Sequence, residues 1–281
     1  MMFKDRKFRV FLLIAFAAAG FFCVRVNDSR AGYYVYPSSG TFESATVDVG
    51  GVSGVSNYDL DTLSWNATVP SQANGAGMEI VPTLITGVKG LWHLNDTTWA
   101  SADSSGSALT TTPAGSPALD TTNKKLGAGA VTFSTGNYLT VTDNAVLKPA
   151  NVSVEAWVRP TSTGAKAIVD KFTSPNGYIL GIDALSQAYF TIGNGISAYT
   201  ATYATSALSA NTYYHVVGTF DGSNVKVYLN AVSASTAAAV TLTHPASKNL
   251  QIGTDGTNVF AGQIDEVVVY NRALTADEIK A

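Results

Sequence analysis

The sequence predicts an all-β protein of the sandwich kind, and three observations carry that reading. Apolar residues make up 46 % of the 281 positions and charged ones only 13 %, so there is material for a sizeable core and little for solvated helices. From Gly87 onward, short runs rich in Val, Ile, Thr, Tyr and Phe alternate with turn signals such as Asn176-Gly177 and Asp221-Gly222, at a spacing of roughly eight to twelve residues. Helix signal is nearly absent. Its one good case is LTADEIKA at the end, where Thr275 and Glu278 make a capping box. That box accounts for Asp277 and Glu278 as helix-start charges.

Residues 1–31 read as an export signal. MMFKDRKFRV is basic, VFLLIAFAAAGFF is an uncharged run too short to span a bilayer, and Ser29-Arg30-Ala31 offers small residues for cleavage. The rival is an uncleaved anchor, which would be the chain's one link to a membrane. A lipoprotein reading through Cys23 fails because Phe21 and Phe22 stand where small residues are needed. Residues 32–84 hold two strand-like stretches, TFESATVDV and TLSWNATVP, around a glycine-rich segment. They form a small β-hairpin segment or partial β domain that cannot bury much alone.

The main domain follows over residues 87–281. Its strand-like runs include GLWHL, AVTF, YLTVT, NVSVEAWVRP, AIVDKF, YILGI, AYFTIG, YYHVVGTF, NVKVYLN, LQIG and QIDEVVVY. Taken in order, GLWHLND, ADSSGSA, AVTFSTGNYLTV, NVSVEAWVRP, YYHVVGTFDGSNVKVYLN, LQIGTDG and FAGQIDEVVVYNRALTADEI resemble a bacterial laminin-G-like, concanavalin A-like jelly-roll domain, and more distantly the pentraxins. The resemblance implies two antiparallel sheets packed face to face with the first and last strands adjacent. It also implies a secreted or cell-surface recognition or adhesion module, within a longer chain with other domains, whose ligand is a glycan or another extracellular surface component. A structural spacer in a surface filament or stalk is the alternative, and a glycoside hydrolase is the third reading.

Charge and cysteine content narrow the partners. Removing residues 1–31 takes six of the 17 Lys and Arg and two of the 20 Asp and Glu, leaving 11 against 18, a net of about −7. Such a chain repels nucleic acid and anionic membrane. It would also lack cysteine, since Cys23 is the only one, so core size must stabilise it, with a structural calcium ion as the candidate cofactor.

Catalysis finds no support. Retaining glucanases of this fold resemble one another in an ExDxxE-type strand that puts carboxyls on one face, and no such strand is present. Asp265 and Glu266 are consecutive, so regular alternation sends them to opposite faces. His93, His215 and His244 lie in unrelated segments without a nucleophile or zinc pattern.

The candidate sites are therefore binding sites. In IDEVVVY both faces are largely apolar, so Asp265 needs a partner, either backbone amides of a neighbouring loop or calcium. Glu266 is expected at the sheet edge, within reach of solvent. Asp103 in ADSSG is the second metal candidate, matching the family's DSSG turn, although Ser134 and Thr135 stand where relatives often carry aspartate. The pentraxin resemblance points to Asp255, Asn258 and Asn176 as ligand residues, with plain turns as the competing reading. Trp157, between Glu155 and Arg159 on one face of its strand, fits either a sugar-stacking platform or an indole covered by a crossing loop. Tyr189, Tyr199, Tyr203 and Tyr228 are candidates for the same rim.

Overall fold

The computed structural model describes residues 15–17, 21–24, 34–37, 86–95 and 103–280. The TFESATVDV and TLSWNATVP stretches and the Ser29–Ala31 processing signal lie outside the described residues. The chain divides into two compact units, residues 1–69 with 73–75, and residues 70–72 with 76–281. In the first, β1 (Ala15–Ala17), β2 (Phe21–Val24) and β3 (Tyr34–Pro37) form a three-stranded antiparallel sheet.

The second unit is a two-sheet sandwich. Its strands are β4 (Val88–Trp92), β5 (Thr111–Ala114), β6 (Ala118–Asp120), β7 (Ala130–Phe133), β8 (Tyr138–Val141), β9 (Val152–Pro160), β10 (Lys166–Thr173) and β11 (Asn176–Ile182). There follow β12 (Ala188–Asn194), β13 (Ala198–Thr202), β14 (Tyr214–Phe220), β15 (Asn224–Leu229), β16 (Val232–Ala237), β17 (Leu250–Ile252) and β18 (Gly262–Tyr270). One sheet has seven strands in the order β13-β12-β11-β10-β17-β8-β5; the other has eight, β16-β15-β14-β9-β18-β7-β6 with β4 also on β18. The first strand of this unit is thus paired with its last, as expected.

Alternation builds the core. Tyr178, Leu180, Phe190 and Ile192 point inward from the seven-stranded sheet and meet Val154, Val158, Val216 and Val227 from the other, while intervening residues face outward. The sheets interdigitate closely at Gly218, where a Cβ would stand 2.2 Å from the Phe190 ring. A second apolar cluster lies on the outer face of the eight-stranded sheet, where Leu274 and Ile279 cover Leu91, Val217, Val268 and Tyr270. Ile279 belongs to α1 (Ala276–Lys280), whose start is the predicted capping box: Glu278 N–H donates to Thr275 Oγ1 at 3.2 Å and Thr275 N–H to Glu278 Oε2 at 2.7 Å.

Candidate functional site

The acidic pair on β18 occupies a β-bulge. Asp265 is opposite Trp157 of β9, yet Val268 is opposite Glu155, so β18 spends three steps where β9 spends two. Glu266 takes φ 50° there. The bulge also marks a change of partner, since β7 pairs with residues 262–264 and β4 with residues 267–270. It overturns the expected face assignment: Ile264, Val267 and Val269 all enter the inter-sheet core, which no unbroken period of two permits. Asp265 and Glu266 both end on the outer side, fully buried there.

Each carboxylate has a protein partner. Asp265 Oδ2 accepts the backbone N–H groups of Lys125 at 2.8 Å and Leu126 at 2.9 Å, the amide arrangement that sequence offered beside calcium. Burial nonetheless pushes its carboxyl up to about 7, helped by the Glu266 charge and opposed by the Leu126, Lys125 and Glu266 amides. Glu266 does not reach solvent, because β4 runs alongside and brings His93 Nδ1 within 2.9 Å of Oε1 and 3.0 Å of Oε2. Asp103 likewise spends its oxygens on the protein, accepting the N–H groups of Leu91, Ser105 and Leu109 and the Ser105 hydroxyl. Among the described residues, no group of three or more His, Cys, Asp or Glu side chains converges as a metal site.

The outer face of β9 is covered. Glu155, 1 % exposed, accepts the Tyr270 hydroxyl and lies 3.3 Å from His215 Nε2. Burial and the Glu155 charge together hold the Tyr270 hydroxyl far above its ordinary range. Trp157 is half-buried, stacked on His215 at 4.9 Å between centroids, and Lys125 Nζ lies 4.2 Å from its ring centroid. Arg159 donates to Gln263 Oε1 at 2.8 Å. Loop 121–129 roofs the Trp157 end and the C-terminal helix the Tyr270 end. Of the tyrosines expected on this rim, Tyr228 joins the outer cluster, Tyr199 and Tyr203 pack against the inter-sheet core, and Tyr189 stands on the other sheet.

Asn176 and the Asp255–Asn258 loop are not brought together. Asn176 opens β11 next to Thr173, whereas Gly253 donates to Ile168 O and so places that loop at the Lys166–Ile182 end. Six residues of strand separate the two ends, about 20 Å. Asp255 closes its own turn, accepting the N–H groups of Thr257 and Asn258 and the Asn258 side-chain amide.

On the outer face of the seven-stranded sheet the register aligns one residue from every strand. Thr112, Thr140, Gln251, Asp170, Ile179, Thr191 and Thr200 are successive cross-strand partners; Thr112, Thr140, Gln251 and Thr200 reach solvent, whereas Asp170, Ile179 and Thr191 are buried. With strands about 4.8 Å apart, the row is nearly 30 Å long. Lys248 completes it, lying 2.7 Å from Asp170 Oδ2 and donating to Gln251 Oε1 at 3.0 Å. Thr191 and Thr200 share a hydroxyl hydrogen bond of 2.7 Å. Beside the row, half-buried Tyr189 lies over Gly181, where a Cβ would meet the ring at 2.7 Å. Burial lifts the Tyr189 hydroxyl to about 12, with the charges of Asp255, Asp170 and Asp183 adding to it. Sequence reasoning missed this row because its members come from strands far apart in the chain. Alternation marks each as outward-facing, but only the crossovers decide which strands are neighbours.

The family model of the concanavalin A-like lectin/glucanases superfamily matches residues 133–280, more than half of the chain. The chain belongs to that superfamily. Among solved structures, this superfamily member is similar to domain 4 of AbnA, a GH43 extracellular arabinanase from Geobacillus stearothermophilus, in complex with arabinotriose. The TM-score is 0.56 at 20 % identity, over 69 % of this chain and 97 % of that one. The binding domain of botulinum neurotoxin DC in complex with SialylT gives 0.55 at 16 %, over 69 % and 50 %. The binding domain of Paraclostridial mosquitocidal protein 1 gives 0.56 at 12 %, over 69 % and 51 %. The chain therefore spans about half the length of the two toxin domains. These likenesses concern the fold. No curated protein matches the sequence.

Proposed function

We propose that this chain is an exported, non-catalytic recognition module that binds carbohydrate on the outer face of the seven-stranded sheet. The observation that carries the reading is the row from Thr112 to Thr200 with Lys248 and Tyr189 beside it. Sugars present hydroxyls that both donate and accept, together with apolar C–H faces. The solvent-reaching hydroxyls of Thr112, Thr140 and Thr200, the Gln251 amide and the Lys248 ammonium, next to one aromatic ring, match that chemistry. Asp255 joins this site through its proximity to Tyr189. Two similar folds, one in complex with arabinotriose and one with SialylT, agree with a glycan as the ligand class. A non-catalytic role is supported by Glu155, Asp265 and Glu266, which are buried and engaged with protein groups.

The structural-spacer reading is favoured by one observation, the closure of the Trp157 face by loop 121–129 and the C-terminal helix. A glycan array probed with the purified full chain separates the two: a module retains a defined set of glycans, and a spacer retains none. Export is read by intact-mass measurement of secreted material, which should begin near Gly32.

A further inference from the structure

Two buried polar atoms on the covered face have no hydrogen-bond partner among the described residues: the indole Nε1 of Trp157 and Oδ1 of Asp265. They belong to residues directly opposite each other across β9 and β18, on the same side of the sheet. One is an obligate donor and the other, when ionised, an obligate acceptor. Leaving both unmet is unfavourable by an amount native proteins rarely tolerate.

We propose that Trp157 and Asp265 together hold a single hydroxyl group beneath loop 121–129. The hydroxyl oxygen accepts the indole N–H, and its own O–H donates to Asp265 Oδ1 when that carboxylate is ionised. Other ligand types fail one side of this pair. A cation would face the N–H, an anion would face the carboxylate, and an apolar group would leave both unsatisfied. Lys125 makes the seal, since its backbone N–H is fixed to Asp265 Oδ2 while its ammonium group lies over the Trp157 ring. The hydroxyl is that of an ordered water or of a small polyol admitted when the loop lifts. The site is on the opposite sheet from the proposed glycan face, so either can fail without the other.

The test follows the Trp157 indole resonance of the full chain by nuclear magnetic resonance at about pH 8, where the Asp265 carboxyl is ionised, assigned by its loss in Trp157→Phe. A resident water gives cross-relaxation between Trp157 Hε1 and long-lived water that glycerol does not displace. A polyol site gives a saturable shift of the same resonance on titration with glycerol or arabinose. In Asp265→Asn, which keeps one oxygen for the Lys125 and Leu126 amides but meets the hydroxyl with an N–H donor in place of the carboxylate acceptor, either signal should weaken. Both signals are read first on the wild type, so a variant that fails to fold leaves the test intact. A Trp157 Hε1 with neither signal overturns the proposal.

Discussion

Asp265 Oδ2 accepts the backbone N–H of Lys125 at 2.8 Å, joining the last strand of the sandwich to a loop 140 residues earlier in the chain. Together with the neighbouring Leu126 amide, this bond fixes loop 121–129 over the outer face of the eight-stranded sheet. Asp265→Ala removes the acceptor of two amide N–H groups and should destabilise the domain by about 2 to 4 kcal/mol. Urea unfolding measures this. A variant as stable as the wild type would mean that the latch contributes nothing.

Glu266→Ala tests the bulge. Sequence alternation places Glu266 at the edge with little to lose, whereas the structure buries it against His93. The substitution should therefore cost about 1 to 3 kcal/mol. A loss indistinguishable from zero would restore the solvent-facing assignment.

The pH dependence of stability follows from burial of the Asp265 carboxyl. Its folded value of about 7 lies above the ordinary 3.8, so the folded state holds the proton longer than the unfolded one. The contribution is fully present below about pH 4 and is lost as pH rises through 7. Between pH 5 and 8 the wild type should lose on the order of 2 to 4 kcal/mol relative to Asp265→Asn, which does not titrate there. Melting curves of the two proteins at both pH values give the difference. If the wild type instead gains on Asp265→Asn as pH rises, the ionised carboxylate is the favoured folded form.

Calcium is tested by chelation. Asp265 and Asp103 are directed at backbone N–H groups, so a chelator should leave the melting temperature unchanged. A drop on chelation that Asp265→Ala abolishes would assign a stabilising ion to this carboxylate, because ion binding favours only the folded state.

Much of this architecture is legible in the sequence. The strand runs, the closing motif and the Thr275–Glu278 capping box appear where their local chemistry predicts, because period-two alternation and helix capping are short-range properties. The need of Asp265 for a buried partner is equally legible, since an acid in an apolar run has few alternatives. Which way Glu266 points is not, because the bulge arises where β18 changes partner from β7 to β4, and partner order is set by crossovers. The same reason hides the row from Thr112 to Thr200, and it separates Asn176 from Asp255 although Asn176-Gly177 and Asp255-Gly256 look alike as turn signals in the sequence.

The proposed glycan recognition on the seven-stranded sheet turns on Tyr189. The most direct measurement is titration calorimetry of the best array glycan into the full chain and into Tyr189→Ala. Losing the ring beside the row should weaken binding about tenfold, the worth of one aromatic contact, while the variant still melts cooperatively. A glycan bound equally well by both proteins would contradict the placement, and a wild-type chain that binds none would contradict the function.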